Sequence, residues 1–300
     1  MSDFVLSRYL TDEGLLVEAA LERAVGRLEP SLEPDLAAAL RHGVMSGGKR
    51  LRPILCVTAY RACGGTAREA AYDLGAALEL IHAYSLMHDD LPCMDDARLR
   101  RGRPTTHQEH GEELAVRAGA VLIPAAALQA LSAARGLECG NGGAATVAQR
   151  LMEAAGAGGM VGGQWLDLLG ENEALAADAL DGLHRRKTGA LLAASLEVGA
   201  TAAGASPPVI EALREYGQAI GLAFQIADDI LDGTQSAERL GKNPSDADLN
   251  KSTYVSLYGL EEARHRAEEL VHEALSALTN GGIEAPALVS LAHYIVARDR

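Results

Sequence analysis

The residues best suited to chemistry are two groups of aspartates, each placed where an apolar stretch of the sequence ends. The first group contains Asp89, Asp90, Asp95 and Asp96, with Pro92 between its two pairs. Because proline ends a helix, we expect the chain to fold back at this point and to bring Asp95 beside Asp89. Four unpaired carboxylates would be costly to bury. The group is therefore either a solvated helix end of chance acidity or a site for cations.

The second group has the spacing of one helical face. Asp228 and Asp232 are four residues apart, with Asp229 between them, and like charges at this spacing oppose a helix by roughly a few tenths of a kcal/mol. A hard divalent cation reverses the sign of this effect. Mg²⁺ keeps several waters and typically takes one or two carboxylates together with phosphate oxygens. Two aspartate groups that face each other would therefore hold a metal-bridged diphosphate.

Basic residues are concentrated in four short segments, although the formal net charge of the chain is −14. These segments cover residues 47–53, 100–104, 184–189 and 241–242. The planar fork of arginine matches phosphate oxygens, and lysine adds a point charge. Each segment alone is more often a solvated surface patch. Together with the two acidic groups they indicate separate binding positions for two diphosphates.

The composition favours helices as the elements that position these residues. Of the 300 residues, 48% are hydrophobic but only 4% are aromatic, and much of the apolar content is Ala and Leu, which favour helices over strands. The negative charge argues against a broad interaction with nucleic acid. The four cysteines show no CxxC pair or zinc-ligand spacing, so reduced thiols in a cytoplasm fit best. Residues 1–10 contain no continuous apolar run, and we expect neither a signal peptide nor membrane insertion.

The spacing of apolar residues predicts a bundle of helices with short breaks between them, each too short to be a linker. The helices at 67–91 and 209–231 are apolar on nearly all sides until their last turn, so we expect both to be central. Each of the two ends in one of the aspartate groups. We interpret the chain as a single all-α domain over residues 1–300. The predicted helices lie near residues 4–27, 34–44, 50–62, 67–91, 109–136, 145–169, 174–202, 209–231, 255–278 and 285–297.

Several motifs occur in the order found in one enzyme family. They are Gly-Gly-Lys-Arg-Leu-Arg-Pro at 47–53, Ile-His-Ala-Tyr-Ser-Leu-Met-His-Asp-Asp-Leu-Pro at 81–92, Leu-Arg-Arg-Gly-Arg-Pro-Thr at 99–105, Gly-Gly-Gln at 162–164, Lys-Thr-Gly at 187–189 and Asp-Asp-Ile-Leu-Asp at 228–232. From about residue 40 to the end, the chain resembles the trans-prenyl diphosphate synthases, and within them the bacterial farnesyl diphosphate synthase branch most. This resemblance implies a helical bundle around a central cavity, of the isoprenoid synthase type, and a homodimer.

The resemblance also implies a role for each matching residue. About three Mg²⁺ ions, with Mn²⁺ as an alternative, would bind the aspartates; the metal ligands would be Asp89, Asp90, Asp95, Asp228, Asp229 and Asp232. The allylic diphosphate would contact Arg100, Lys187, Thr188, Gln225 and Lys242, of which the first four would act in catalysis. Isopentenyl diphosphate would contact Gly48, Lys49, Arg52, His82 and Arg101. In the implied reaction the allylic carbon–oxygen bond ionises, the isopentenyl double bond attacks the carbocation, and the released diphosphate takes the final proton.

Product length in this family is limited by side chains below the first aspartate group. Tyr84 and Ser85 lie five and four residues before Asp89, and one helical turn is about 5.4 Å. A tyrosine at this depth should stop a growing chain early, which favours a fifteen-carbon product. Cys93 is the competing signal, because it resembles the residue found in many twenty-carbon synthases.

Two segments depart from the family pattern. Ala97 and Arg98 stand where further acidic residues are usual, and the loop after Lys242 is about one residue short, so either Asp246 or Asp248 takes the family's aspartate position. Two rival functions stay open. A terpene cyclase shares the helical fold but needs no isopentenyl site, and a non-catalytic partner subunit of another synthase would be expected to lack an aspartate group.

Overall fold

The computed structural model describes residues 4–137, 139, 142–170, 174–234 and 252–297. Over these residues the chain is almost entirely helical, which confirms the all-α prediction. The helices are α1 Leu6–Leu28, α2 Pro34–Val44, α3 Leu51–Ala62, α4 Arg68–Asp89, α5 Thr106–His110, α6 Glu112–Gly136, α7 Gly143–Ala155, α8 Met160–Leu169, α9 Ala177–His184, α10 Ala190–Ala202, α11 Pro207–Thr234, α12 Tyr254–Tyr258, α13 Leu260–Asn280 and α14 Pro286–Ala297. A 3₁₀ turn covers Glu29–Ser31, a π-helical turn covers Arg185–Gly189, and the strands β1 Leu99–Arg100 and β2 Arg103–Pro104 pair antiparallel.

The two helices that carry the aspartates are each central to one part of the hydrophobic core. Helix α4 packs against α1, α3 and α6, and its buried side chains include Leu74, Leu78 and Ile81. Helix α11 packs against α10 and α13, and buries Leu213 and Ile220. Almost every residue of α10 is buried, and this helix contacts both α3 and α11. The prediction that both aspartate-bearing helices are central is confirmed.

Glycines divide two of the predicted helices. The helix expected at 145–169 is two helices in the structure, because the chain turns within 156–159. A Cβ at Gly159 would overlap the backbone carbonyl of Ala154, so the turn requires glycine there. The helix expected at 109–136 is broken at Gly111, whose φ of +87° lies in the region that favours glycine. The apolar spacing continues across both breaks, and for this reason the pattern alone did not reveal them.

Two small elements were also missed. The segment expected as one helix at 174–202 contains the π-helical turn between α9 and α10, and the β1–β2 hairpin was not predicted. Each of these elements spans six residues or fewer, which is too short for a periodic pattern to be visible. The helix expected at 255–278 is two helices, α12 and α13, in the structure.

Helix α6 is long and apolar enough to cross a membrane by length and composition alone. In the structure it packs along α4, and its buried face consists largely of alanine. The core helix of a soluble protein passes the same test of length and composition, so these two properties do not identify a membrane span.

Candidate active site

Two adjoining cavities lie beside the aspartate-bearing helices, and the residues selected from the sequence line both of them. The inner cavity, of about 350 Å³, lies between α4, α8 and the π-helical turn; its walls include Tyr84, Ser85, His88, Asp89, Gln164, Trp165, Lys187 and Thr188. The outer cavity, of about 790 Å³, lies between the loop before α3, the hairpin and α11; its walls include Gly48, Lys49, Arg101, Asp228 and Asp232. Arg52 and His82 line both cavities. The structure thus brings together segments that are far apart in sequence.

The turn after α4 brings the first aspartate group together. The backbone N–H of Asp95 donates a hydrogen bond to the carbonyl of Asp89 at 2.9 Å, and that of Ala97 donates to the carbonyl of Asp90 at 3.1 Å. The chain therefore folds back as expected from Pro92. Burial raises the pKa of Asp89 to about 7; Lys187 opposes this shift, whereas the charge of Asp95 adds to it. A cation beside this carboxyl would restore its negative charge.

One aspartate of the first group is already paired with an arginine of the hairpin. Arg100 donates hydrogen bonds from Nε and Nη2 to the carboxylate of Asp90, at 2.6 to 3.0 Å. The Asp90 side chain is buried, and burial raises its pKa while Arg100 opposes the rise. A bidentate pair of this kind fixes the guanidinium in orientation as well as in position. Asp90 therefore holds Arg100 at the edge of the aspartate group.

Arg52, Arg101 and His82 form the part of the outer cavity wall in which a buried donor has no acceptor. Burial lowers the pKa of Arg52 to about 10, with Glu79 opposing and Arg101 adding to the shift. The Nε atom of Arg52 is buried and has no hydrogen-bond partner. Burial, and then the charges of Arg52 and Arg101, hold the pKa of His82 well below its usual range, so its ring is neutral. A buried donor left without an acceptor costs free energy, and a bound anion would remove that cost.

The loop before α3 is shaped to present this pocket. Arg50 is buried, adopts a left-handed backbone with φ of +49°, and donates hydrogen bonds to Glu79 at 2.8 Å and to Glu18 at 2.7 Å. The guanidinium of Arg101 donates to the carbonyl of Gly47. At Gly48, where φ is +122°, a Cβ would overlap that guanidinium. The glycine is therefore required both by the backbone and by the position of Arg101.

A π-helical turn directs two further polar groups into the inner cavity. Such turns widen a helix locally and often occur at functional sites. Lys187 donates from Nζ to Asp167 at 2.7 Å, and Thr188 donates from Oγ1 to Oε1 of Gln225 at 3.1 Å. A Cβ at Gly163 would overlap the backbone of Lys187, so this glycine lets α8 approach the turn closely.

Asp229 of the second aspartate group connects two helices. Asp229 is buried; its Oδ2 accepts a hydrogen bond from the backbone N–H of Tyr254 at 2.9 Å, and its Oδ1 accepts one from Gln225 at 3.5 Å. Asp229 therefore links α11 to α12. Asp228 and Asp232 line the outer cavity.

The hydroxyl of Ser85 donates to the backbone carbonyl of His82 at 2.9 Å, so the residue is committed to its own helix. Lys242, Asp246 and Asp248 lie outside the described residues. In the segment that departs from the family pattern, the carbonyl of Arg98 accepts a hydrogen bond from the backbone N–H of Thr105.

Two residues near the site were missed in the sequence. Glu79 pairs with Arg50 and Asp167 pairs with Lys187. The only available signal was spacing, because each stands three residues from a selected or motif residue on the same helical segment. His184, which begins the basic segment 184–189, differs from the expected cationic character: it is buried, its two ring nitrogens have no hydrogen-bond partner, and burial lowers its pKa to about 4.

No three side chains of His, Cys, Asp or Glu converge as a ready-made metal site within the part of the chain that the structure describes. This arrangement agrees with the preferences of Mg²⁺, which retains waters and shares its coordination between one or two carboxylates and phosphate oxygens. The aspartates that line the cavities are oxygen ligands of the type that this ion prefers. The residues present therefore fit a metal that binds together with a phosphorylated substrate.

The fold and the site define a class of helical proteins in which two aspartate groups, each at the end of a central helix, adjoin an arginine-lined cavity. The model of the polyprenyl synthetase family matches residues 33–286. The chain is 42% identical to the farnesyl diphosphate synthase of Escherichia coli K12, over 94% of this chain and 95% of that protein. It is 40% identical to the chloroplastic geranylgeranyl pyrophosphate synthase 11 of Arabidopsis thaliana, over 99% and 83%.

A solved structure of an FPP/GFPP synthase from Zymomonas mobilis superposes with a TM-score of 0.79 at 36% identity, covering 96% of this chain and 99% of that one. The chain belongs to the polyprenyl synthetase family. It is a prenyltransferase of the trans-prenyl diphosphate synthase type, as the motifs predicted. Relatives named for different product lengths match it about equally well, so these matches do not determine the product length.

Proposed function

We propose that this enzyme condenses isopentenyl diphosphate head to tail with dimethylallyl and geranyl diphosphates, with Mg²⁺, and that its main product is farnesyl diphosphate. The observation that carries the proposal is that both aspartate groups and an arginine pocket with an unsatisfied buried donor adjoin the same pair of cavities. Such a site can hold two diphosphates of like charge at once, because each is neutralised by a different set of groups.

The arginine pocket suits isopentenyl diphosphate. Arg52, Lys49 and Arg101 supply positive charge, Gly48 leaves room for the guanidinium of Arg101, and the neutral ring of His82 can donate a hydrogen bond without adding charge. An isopentenyl group whose diphosphate is bound here can extend towards the inner cavity, since Arg52 and His82 line both spaces. This substrate needs no metal in the proposed arrangement.

The aspartate groups suit the allylic diphosphate. Asp89, Asp95, Asp228 and Asp232 would hold Mg²⁺, which when bound neutralises the leaving diphosphate. Asp90 and Asp229 have a different role in this proposal, because their oxygens are engaged by Arg100 and by the backbone of Tyr254. They would hold the two groups in place and contact the metal through water.

The remaining polar residues act on the reacting end of the allylic substrate. Lys187 and Arg100 would neutralise charge on the leaving diphosphate as the carbon–oxygen bond breaks. Thr188 and Gln225 are hydrogen-bonded to each other and present neutral dipoles to the developing carbocation. The carbons of Met94, Met160 and Leu168 in the walls of the inner cavity exclude water from that cation. The proton lost from the isopentenyl unit passes to the released diphosphate.

The length of the product is proposed to follow from the depth of the inner cavity. Tyr84 is buried in its wall, five residues before Asp89, which is about 7.5 Å along the helix. Ser85 is small and its hydroxyl is bonded to its own helix, so it adds little bulk. Cys93, the signal for a longer product, is exposed on the turn after α4. The bulk of Tyr84 within the cavity wall therefore favours a product of fifteen carbons over one of twenty.

The two rival functions are less well supported. A terpene cyclase uses one diphosphate and has no need of the pocket around Arg52. A non-catalytic partner subunit has no need of both aspartate groups, and this chain has all six aspartates assigned to the metal.

We further propose that residues 1–300 act as one domain in a cytoplasmic homodimer. Apolar side chains exposed on α6 and α8 support the dimer; they include Val116, Ile123, Leu128, Val161 and Trp165. Light scattering coupled to gel filtration tests this assembly, and a mass of one chain would contradict it.

The direct test of the activity uses purified protein, Mg²⁺ and labelled isopentenyl diphosphate with dimethylallyl, geranyl or farnesyl diphosphate as separate primers. We expect the first two primers to give a fifteen-carbon product and the third to react poorly. A twenty-carbon product would keep the mechanism but contradict the role of Tyr84. No condensation with any primer, from folded protein, would contradict the proposed function.

A further inference from the structure

The ring of Tyr84 rests against a second aromatic ring on the same helix. His88 lies four residues later, on the same face of α4, and the two ring centroids are 5.7 Å apart with an interplanar angle of 78°. This edge-to-face arrangement is a favourable geometry for aromatic rings. Both side chains line the inner cavity. The orientation of Tyr84 is therefore coupled to the position of His88.

His88 is in turn fixed by helix α6. Its Nε2 lies 3.1 Å from the backbone carbonyl of Val116, and because a carbonyl oxygen only accepts, Nε2 carries the hydrogen and donates it. Gly119, one turn further along α6, faces the same ring, and a Cβ there would overlap Nε2. The imidazole thus occupies a space that α6 leaves open only because residue 119 is glycine.

We propose that His88 is a positioning residue for product length, which holds Tyr84 across the end of the inner cavity through its hydrogen bond to Val116. The inference rests on the proposed function, since it requires Tyr84 to limit chain growth. Under this proposal, a bulky side chain at residue 84 is not sufficient to stop the growth of the product. A tyrosine that is free to rotate about χ1 leaves its place when a growing chain presses on it, whereas one supported by an anchored ring does not.

The primary test compares three proteins of similar cavity volume. His88→Leu keeps the size of the side chain but removes both the N–H donor and the aromatic edge, whereas His88→Gln keeps a donor at nearly the same distance along the side chain. With geranyl diphosphate, isopentenyl diphosphate and Mg²⁺, we expect His88→Leu to raise the ratio of twenty- to fifteen-carbon product about tenfold. His88→Gln should stay closer to the wild type. Equal ratios in all three folded proteins would overturn the proposal.

The same space can be disturbed from α6 without changing His88. Gly119→Ala places a methyl group where Nε2 lies and should release the ring from Val116, so we expect a longer product here too. The matched control is Gly136→Ala on the same helix, whose new Cβ would lie 3.7 Å from the Cβ of Ala70, an ordinary contact. A product ratio that shifts equally in both variants, or in neither, would contradict the proposal, and circular dichroism confirms that each protein is folded.

A double-mutant cycle separates this inference from the proposed role of Tyr84. If Tyr84→Ala does not lengthen the product, the role of Tyr84 itself fails. If it does, and His88→Leu adds nothing in the Tyr84→Ala background, His88 acts through the tyrosine as proposed. If the two effects add, His88 is an independent part of the wall and the positioning role is wrong.

Discussion

The aspartate groups and the arginine pocket are incomplete in opposite ways. Around Asp89, burial and neighbouring carboxylates favour the protonated acid; around Arg52, burial and a neighbouring arginine disfavour the guanidinium charge. Lys187 and Arg100 balance the first region only in part, and Glu79 balances the second only in part, although Arg52 and His82 belong to both cavity walls. The difference indicates that the two substrates complete the site by different means. One should need a metal, and the other should not.

The largest effect is expected when an aspartate that lines either cavity is removed. Asp89→Ala and Asp228→Ala should each lower turnover by at least about a thousandfold, because the charge on the leaving diphosphate is then poorly neutralised. Steady-state kinetics and circular dichroism test this together. A folded variant with a rate near that of the wild type would remove its aspartate from the metal site.

A smaller and more selective effect is expected in the arginine pocket. Arg52→Met should raise the KM for isopentenyl diphosphate by about ten- to a hundredfold, because hydrogen bonds to a charged group are lost. The KM for geranyl diphosphate should change much less. Thermal stability should not fall, because burying the Arg52 charge with one donor unsatisfied already costs the wild-type protein free energy, and methionine carries no charge. A KM increase shared equally by both substrates would show that the two regions are not distinct.

The pair formed by Arg100 and Asp90 joins the two regions and allows a sharper comparison. Arg100→Met leaves the buried carboxylate of Asp90 without its partner, so we expect a loss of stability of about 3 kcal/mol together with a slower reaction. Replacing both residues, as in Arg100→Met with Asp90→Leu, should restore much of the stability but not the rate. Chemical denaturation and kinetics measure the two quantities separately. Recovery of the rate in the double variant would show that Arg100 has no direct role.

The smallest effect on the reaction itself concerns the anchor of the second aspartate group. The ring of His184 lies 5.7 Å from that of Tyr254, whose N–H holds Asp229, and its neighbouring charges are Asp167 and Lys187. Because its folded pKa is about 4, against an ordinary value of 6.5, the unfolded chain takes up a proton first as pH falls. This residue therefore makes stability decrease between about pH 6.5 and pH 4, by at most about 3 kcal/mol.

Asp89, whose pKa is raised to about 7, contributes a slope of the opposite sign over this whole range. The measurement is therefore the difference between wild type and His184→Phe, followed by denaturation at several pH values. We expect the variant to lose less stability than the wild type on acidification. If the stability of the two proteins changes with pH in the same way, the pH dependence does not come from His184.

The central helices and the motif residues could be predicted because each leaves a long or repeated signal. Asp89 follows an apolar helix that had to be buried, and Asp228 and Asp232 share one helical face whatever surrounds them. The engagement of Asp90 by Arg100 was not visible. It depends on a hairpin of two-residue strands, in which Arg101 adopts a φ of +55°, and no periodic pattern marks so short an element.

The acidic partners of Lys187 and Arg50 could not be predicted for a related reason. Asp167 and Glu79 are single acidic residues on helices, and their sequence spacing does not distinguish a buried ion pair from a solvated one. Which helix each one faces is decided by the packing of α8 against the π-helical turn and of α4 against α3. These are contacts between segments distant in sequence, where local propensity carries no information.

The central claim is that a metal is required by one substrate only, and calorimetric titration in the presence of Mg²⁺ or of EDTA tests it most directly. The ligands are isopentenyl diphosphate and an unreactive thio analogue of geranyl diphosphate. The account predicts that isopentenyl diphosphate binds with similar affinity in both conditions and loses affinity in Arg52→Met, whereas the analogue binds only with Mg²⁺ and only when Asp89 and Asp228 are intact. Binding of the analogue in EDTA, or a strict need of isopentenyl diphosphate for Mg²⁺, would contradict the account.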